Sequence, residues 1–451
     1  MGLDLRPRST VAAKNIGGAQ SAKSTEGFLE KFQHAPNEIW LLIFRHATSV
    51  PHALNPNADD PFDFPGTPIN PESLTRWHLQ AALRTKRTIV LVCRLWYDLG
   101  IPLLYEAVAA RSDKSLERLR DTLVAPTSFS KAGAANRKLR IRRLDLFPWK
   151  TYASKPSCRV LEDIFSRTPE LEIFSESGFS FAHPPSETGI DALISGCATS
   201  LRKCILYTAM LGLTEYTALI GQCPRLSCLY VGTLIFMKND ATPLPENSSL
   251  TRLSIKCPML SSPLTSLQEI HIRPEFAVPE ALDAFFRIQG PRLRTIYCDM
   301  LSRNGYSSRT VESYLGLCTR YCLNLTRLIF VFPSWDRIDL PAPIPFPPTV
   351  THLGIYTTSV PSPLGLDDFL EHASNLIRHQ ETVPRVIRRL NPSTPKEWDY
   401  LQENKLRALR HSSPICCRIE DADGNDLALQ VLTVAEIPGS SAHSPWILLN
   451  I

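Results

Sequence analysis

The sequence predicts an α/β chain: a small all-α helical module followed by an irregular solenoid with a parallel sheet on its concave face. Three observations carry this reading. Two apolar clusters near the start, Pro36 to Phe44 and Val90 to Trp96, have helical spacing. Beyond Ala110 one phrase recurs: apolar, two residues, apolar, one residue, apolar. Prolines Pro169, Pro224, Pro291 and Pro348 each stand two residues before the first apolar position of a phrase, where a proline stops a helix and removes no strand hydrogen bond.

The first cluster reads as a helix opened by Pro36, whose missing N–H costs nothing there, with Glu38 in the first turn. Ile39 with Ile43 and Trp40 with Phe44 lie four apart and make a broad apolar face. The second cluster reads as another short helix, with Ile89, Val92, Cys93 and Trp96 along one stripe. Between them, Thr48 to Trp77 is rich in Pro, Asn and Asp and reads as a long loop, so a deletion within Asn55 to Pro71 is expected to leave the helices and repeats folded.

Ala35-Pro36-Asn37-Glu38-Ile39-Trp40, Ile43-Phe44 and Val92-Cys93-Arg94-Leu95-Trp96 resemble the F-box, the three-helix module that docks a substrate receptor onto the Skp-type adaptor of a cullin ubiquitin ligase. Ala35 stands where that family carries a leucine, and the insertion at about 48–77 is long, as in the large F-box-like families of filamentous fungi. Arg84 to Arg87 and Leu103 to Glu106 also have counterparts there. The resemblance implies an adaptor-binding edge made by Pro36, Ile39, Ile43, Phe44, Val92, Cys93 and Trp96.

The repeated phrase appears as Ile141/Leu144/Leu146, Leu201/Cys204/Leu206, Leu226/Leu229/Val231, Leu250/Leu253/Ile255, Leu267/Ile270/Ile272, Leu325/Leu328/Phe330 and Val350/Leu353/Ile355. Leu293/Ile296/Cys298 and the stretch after Leu171 are weaker copies, and first positions are 17 to 32 residues apart. Each phrase predicts a short strand, because its last two apolar residues alternate with others. Helix-like segments lie between: Val160–Phe165, Thr217–Ile220, Ala281–Phe286 and Val311–Cys322. Strand, turn and helix at this period make a right-handed solenoid, which resembles irregular leucine-rich repeats. Where that family usually has Asn or Cys, eight residues after the first apolar position, this chain has Leu234, Pro258, Glu275, Leu301, Pro333 and Thr358, so irregular turns are expected.

Four segments follow: a disordered tail at 1–30, an F-box-like module at 34–110, the solenoid at 111–395, and a helix-and-hairpin cap at 396–451. The cap reading rests on a helical stretch at Lys396–Arg410 and a turn signal at Asp423-Gly424-Asn425, flanked by Ile415–Ile419 and Leu427–Val434.

Composition narrows the function. Among 451 residues, 49 basic against 44 acidic side chains leave +5, too even for a dedicated nucleic-acid binder. No apolar run reaches the roughly 20 residues of a membrane helix, and no secretory leader is evident, so a cytoplasmic or nuclear protein is expected. The twelve cysteines lack zinc or disulfide spacing and read as small buried hydrophobes, so neither metal nor cofactor is expected. No phosphate loop, nucleophile elbow, zinc helix or dinucleotide glycine pattern occurs, and no enzyme is predicted.

The remaining task is binding. The resemblance implies a ligase substrate receptor, with a Skp-type adaptor and through it a cullin at the F-box and a protein target on the repeats. The alternative is a repeat scaffold outside any ligase. Strand residues alternating with the buried set face the concave side, and Lys203, Tyr207, Tyr230, Arg252, Lys256, His271, Arg273, Tyr297, Arg327 and Tyr356 are the expected target-binding residues. The arginines favour an acidic or phosphorylated segment, with Glu269 and Asp299 placed to neutralise them internally.

Overall fold

The computed structural model describes residues 35–427 apart from 58–59, 66–70, 125–138, 148–157, 177–187, 236–244, 246, 256–262, 274–278, 301–307, 336–337, 339–345, 359–364, 379–383, 393–396 and 398–416. The expected 1–30 tail, Lys256, most of the 396–410 helix and the segment 428–434 lie outside them.

Among the described residues three helices come first: α1 (Asn37–Thr48), α2 (Pro71–Val90) and α3 (Arg94–Glu106). The second apolar cluster is therefore a junction. Leu91 and Val92 form the turn between α2 and α3, and Cys93 is the extended N-cap of α3, so Ile89 and Val92 do not share a helical stripe. Phe44, Ile89 and Leu103 are buried together, with Trp40, Trp96 and Leu99 packed around them. The Trp96 ring lies 4.9 Å from both Trp40 and Phe44.

Helix α3 passes straight into β1 (Ala107–Ala110), so the end of the predicted 34–110 module already belongs to the sheet. Eleven strands follow in chain order: β2 (Arg143–Leu146), β3 (Ile173–Glu176), β4 (Lys203–Gly212), β5 (Cys228–Ile235), β6 (Arg252–Ile255), β7 (Glu269–Ile272), β8 (Thr295–Asp299), β9 (Arg327–Phe332), β10 (His352–Thr357), β11 (Val386–Arg389) and β12 (Arg418–Glu420). They form one sheet in sequential order, and every neighbouring pair is parallel. This is the predicted α/β solenoid. Helices α4 (Asp113–Val124), α5 (Cys158–Ser166), α6 (Thr188–Cys197), α7 (Leu213–Gln222), α8 (Pro279–Gln289), α9 (Ser308–Tyr321) and α10 (Gly365–Arg378) connect strands, as parallel pairing requires. A helix is roughly 10 Å wide and a strand step is about 4.8 Å, so the sheet takes the inner side of the curve.

Register explains the repeated phrase. Leu229, Leu253, Ile270, Ile296, Leu328 and Leu353 stand level on successive strands, all completely buried, and belong to one core running from Ala110 to Leu427. The helix sides supply Ile164, Leu193, Phe285, Phe286, Tyr314 and Phe369 to the same core. The missing asparagine ladder has a substitute just before the strands. Ser227, Thr251, Thr326 and Thr351 each donate a hydroxyl hydrogen bond to a carbonyl one rung back, at 3.1, 3.2, 3.3 and 3.2 Å. Buried Asn247 adds donations to the Ile220 and Cys223 carbonyls at 2.7 and 3.2 Å.

Arg418–Glu420 extends the sheet by pairing parallel with β11, and the turn after it closes through an antiparallel bridge between Glu420 and Asp426. Asp421 accepts from the Asp423 and Asn425 amides at 3.0 and 2.8 Å, while Gly424 takes φ +79°. Glu397, at the start of the expected helix, is buried with its carboxylate 2.5 Å from Arg389.

Two glycines make opposite predictions. A Cβ at Gly354 in β10 would meet Leu390 at 2.4 Å and Ile329 at 3.0 Å, whereas one at exposed Gly316 in α9 meets nothing within 4 Å. Denaturant titration should show Gly354→Ala losing about 1–3 kcal/mol and Gly316→Ala gaining about 0.5–1 kcal/mol.

Candidate interaction surfaces

Two surfaces stand out, one on the helical module and one on the inner face of the sheet. On α1, Ile39, Leu42 and Ile43 occupy one stripe at i, i+3 and i+4. With Leu91, Val92 and Leu95 from the α2–α3 junction, they are large apolar side chains 40–82% exposed. Pro36 and Cys93 are exposed beside them and Trp96 is partly buried. Phe44 is not on this surface: only 2% exposed, it fills the centre of the module. Its place on the predicted adaptor edge is corrected on that ground. Leu42 and Leu91 are exposed apolar residues that the family pattern did not single out.

The inner face is already occupied. The insertion after α1 does not hang free as a loop but crosses the sheet. Ala53 is buried, and its carbonyl accepts from Arg143 Nη1 of β2 at 2.8 Å. Asn57 Oδ1 lies 3.3 Å from Ser227 Oγ at the edge of β5. Asp60 then opens a tight turn, accepting from the Phe62 amide on its side chain at 2.8 Å and from the Phe64 amide on its carbonyl at 2.9 Å. Pro61 sits at the second position of that turn, where its fixed φ suits it.

This turn carries the tightest contacts. Arg327 of β9 binds Asp60 at 2.5 Å and Asp63 through both terminal nitrogens at 2.9 and 2.5 Å. Phe62 is buried with Tyr297, Ile329, Val331, Val386 and Leu390, and Tyr356 packs on the group. Its ring meets His352 edge-on at 5.1 Å and lies under the Arg388 guanidinium at 5.2 Å. Arg388 Nη1 also donates to the Pro61 and Phe62 carbonyls at 2.5 and 3.3 Å, while its other nitrogens bind Glu420. Such contacts make residues 50–57 and 60–65 a strap, and the expectation that shortening it would be silent is corrected.

Beside the strap the inner face neutralises itself. Arg143 pairs with Asp145 of its own strand at 2.9 Å, both buried. Arg252 pairs with Glu269, and His271 Nε2 lies 3.3 Å from the same carboxylate. Burial works against both charges of the Arg252–Glu269 pair, but each outweighs it for the other: the arginine is held well above its ordinary range and the carboxyl below its own. His271 stacks on Tyr297 at 3.7 Å and meets Tyr230 edge-on at 5.4 Å; burial, only partly offset by Glu269, lowers its pKa. Arg273 pairs with Asp299 at 2.5 Å.

The predicted target-binding set is thus largely committed within the chain. Lys203, Tyr230, Arg252 and Tyr297 are buried, His271 and Tyr356 partly so, and Arg273 and Arg327 are paired. These residues alternate with the helix-side core as expected, yet they are not presented as a free basic band. Tyr207 lies in β4, with only its backbone described. A cavity of about 890 Å³ remains between the strap and the leading edge of β5–β9, lined by Asn57, Asp60, Thr251, Glu269, Arg294 and Arg327 among others.

No protein-family model matches the chain, and no curated protein matches it. Among solved structures it is similar to the Rad7 and Elc1 complex of yeast (13% identity, TM-score 0.32, covering 90% of this chain and 87% of that one). It is also similar to the leucine-rich repeat-containing protein LegL7 of Legionella pneumophila (12%, TM-score 0.30, 64% and 76%) and a Bacteroides fragilis protein (14%, TM-score 0.29, 78% and 85%). At these values the likenesses decide nothing about function. No helix among the described residues is long and apolar enough to cross a membrane.

The strap predicts a measurable stability. Phe62→Ala should cost about 1 kcal/mol in denaturant titration: the pocket on β8–β11 is left unfilled, and the loss stops where the strap lets go. The partly buried histidines of the inner face predict a pH response. His271 and His352 have folded-state pKa values below the ordinary 6.5, lowered first by burial. The unfolded chain therefore takes up protons below about pH 6.5 that the folded chain refuses, so stability is full above that pH and falls as pH drops toward the folded values. Unfolding measured between pH 7 and pH 5 should show this loss, and His271→Phe with His352→Phe should shrink it.

Proposed function

We propose that this chain is the substrate-recognition subunit of a cullin-type ubiquitin ligase, with its helical module docking a Skp-type adaptor and its repeats binding a protein target. The observation that supports it is the exposed apolar stripe of Ile39, Leu42 and Ile43 with Leu91, Val92 and Leu95, on a module whose own core is complete without them. An apolar group of this kind on a soluble surface is an interaction site by physical default. Its sequence is the part that resembles the F-box. No catalytic group is needed in this reading, since transfer of ubiquitin belongs to other subunits, and nothing in it calls for a cofactor, nucleic acid or membrane.

The second reading, a repeat scaffold outside any ligase, is favoured by one observation: the strap covers the surface where a target would sit. Co-purification with a Skp-type adaptor separates the two. The wild-type chain should retain the adaptor, and Leu42→Asp with Leu91→Asp should lose it by at least about tenfold while the melting temperature stays within about 2 °C, as exposed positions allow. Phe44→Asp is the contrast, since it puts a charge in the module core and should unfold it. Full retention by the folded double variant would overturn the docking surface.

A further inference from the structure

The strap sits on the inner face in the manner of a bound peptide. Its turn offers three groups in a fixed order: the Asp60 carboxylate, the Phe62 ring and the Asp63 carboxylate. The two carboxylates share one site on β9, and the ring has a site of its own beside it. Arg327 takes both carboxylates, the apolar pocket of Tyr297, Ile329, Val331, Val386 and Leu390 takes the ring, and Arg388 takes the Pro61 and Phe62 carbonyls. Recognition of main chain, ring and paired charge together is what a peptide site supplies. The seat is also adapted to its occupant: Gly354 leaves the space that Phe62, Leu390 and Ile329 fill, with the Phe62 ring 3.3 Å from where a Cβ would be.

The occupant is nevertheless open to solvent at its rim. Asp63 is about half exposed and Phe64 is exposed, and the cavity alongside Asn57, Asp60 and Asp63 gives access from the leading edge of the strands. We propose that the inner face over β8–β11 is a recognition seat for a turn-forming acidic segment of a partner protein, one with a carboxylate, an aromatic ring two residues on and a second carboxylate after it. In this proposal Asp60-Pro61-Phe62-Asp63 is the chain's own occupant, which the partner displaces. The proposal rests on reading the inner face as the target surface, and adaptor docking plays no part in it.

Tethering sets the competition. A segment held at both ends has an effective concentration of about 1 mM, so a free peptide with an intrinsic Kd of about 0.1 mM binds about tenfold more weakly while the strap is present. The probe is a fluorescent synthetic peptide of residues 57–65, titrated into the full chain and followed by polarisation. The triple variant Asp60→Asn, Phe62→Ala, Asp63→Asn should bind it about tenfold more tightly than wild type. Adding Arg327→Ala to that variant should abolish the gain, and adding Arg287→Glu at an exposed position of α8 should not. A triple variant that binds no better than wild type, or that binds equally without Arg327, overturns the seat.

Hydrogen exchange on the wild-type chain guards against a variant that does not fold. Excess peptide should speed exchange at the Phe62, Asp63 and Phe64 amides, which the strap's own turn protects, and a peptide with both aspartates replaced by asparagine should not. Unchanged protection under saturating peptide overturns displacement. A chain that takes the peptide but no adaptor would remove the ligase reading and leave the seat, and the reverse result would do the opposite.

Discussion

A parallel sheet has two faces to cover, and this chain gives helices to only one of them. On the helix side the level rows of Leu229, Leu253, Ile270, Ile296, Leu328 and Leu353 bury against the connecting helices, so each rung is stable only because its neighbours are present. On the other side the described residues form no second layer of helices. Two devices take its place: charges that pair along and between strands, and a strap lent by the helical module. The glycine in β10, the arginines of β9 and β11 and the proline turn of the strap all follow from that division.

How much of this was legible in the sequence depends on which atoms decide each feature. The strands β2 to β10 were legible because leucine and isoleucine alternate with other residues, and that alternation is itself the cause of their burial. β1 and β11 were not. Ala107-Val108-Ala109-Ala110 has too little apolar bulk to stand out, and Arg389 occupies a helix-side position where the phrase needs a hydrophobe. Its charge is accepted there because Glu397 reaches it, a partner eight residues away that no local pattern announces.

The interaction surfaces divide in the same way. That α1 carries apolar residues was plain, but Ile39, Trp40, Leu42, Ile43 and Phe44 surround most of the helix. Only the positions of Ile89, Leu103 and Trp96 select Phe44 for the interior and leave Ile43 outside. The insertion read as a solvated loop because prolines, asparagines and aspartates dominate it. The contrary signal was Phe62 and Phe64, two large rings in a polar stretch, of which one proved to be an anchor and the other to lie open. Likewise, arginine and tyrosine on alternate strand positions do mark the inner face, but their carboxylate partners come from adjacent rungs and from the strap, so an apparent basic band is nearly neutral.

The strap also fixes an order of events during synthesis. Asp63 precedes its partner Arg327 by 264 residues, and Pro61 precedes Arg388 by 327. At about 5–20 residues per second, the strap leaves the ribosome some tens of seconds before its seat exists. The rungs stack from the N-terminus as they emerge, while the acidic turn waits undocked beside an already folded three-helix module. Closure therefore comes last, after β11 has joined the sheet, and it joins the first and last thirds of an otherwise one-dimensional array. A chain truncated before β11 would keep most of its rungs but leave the strap's anchoring ring without Val386 and Leu390 to cover it.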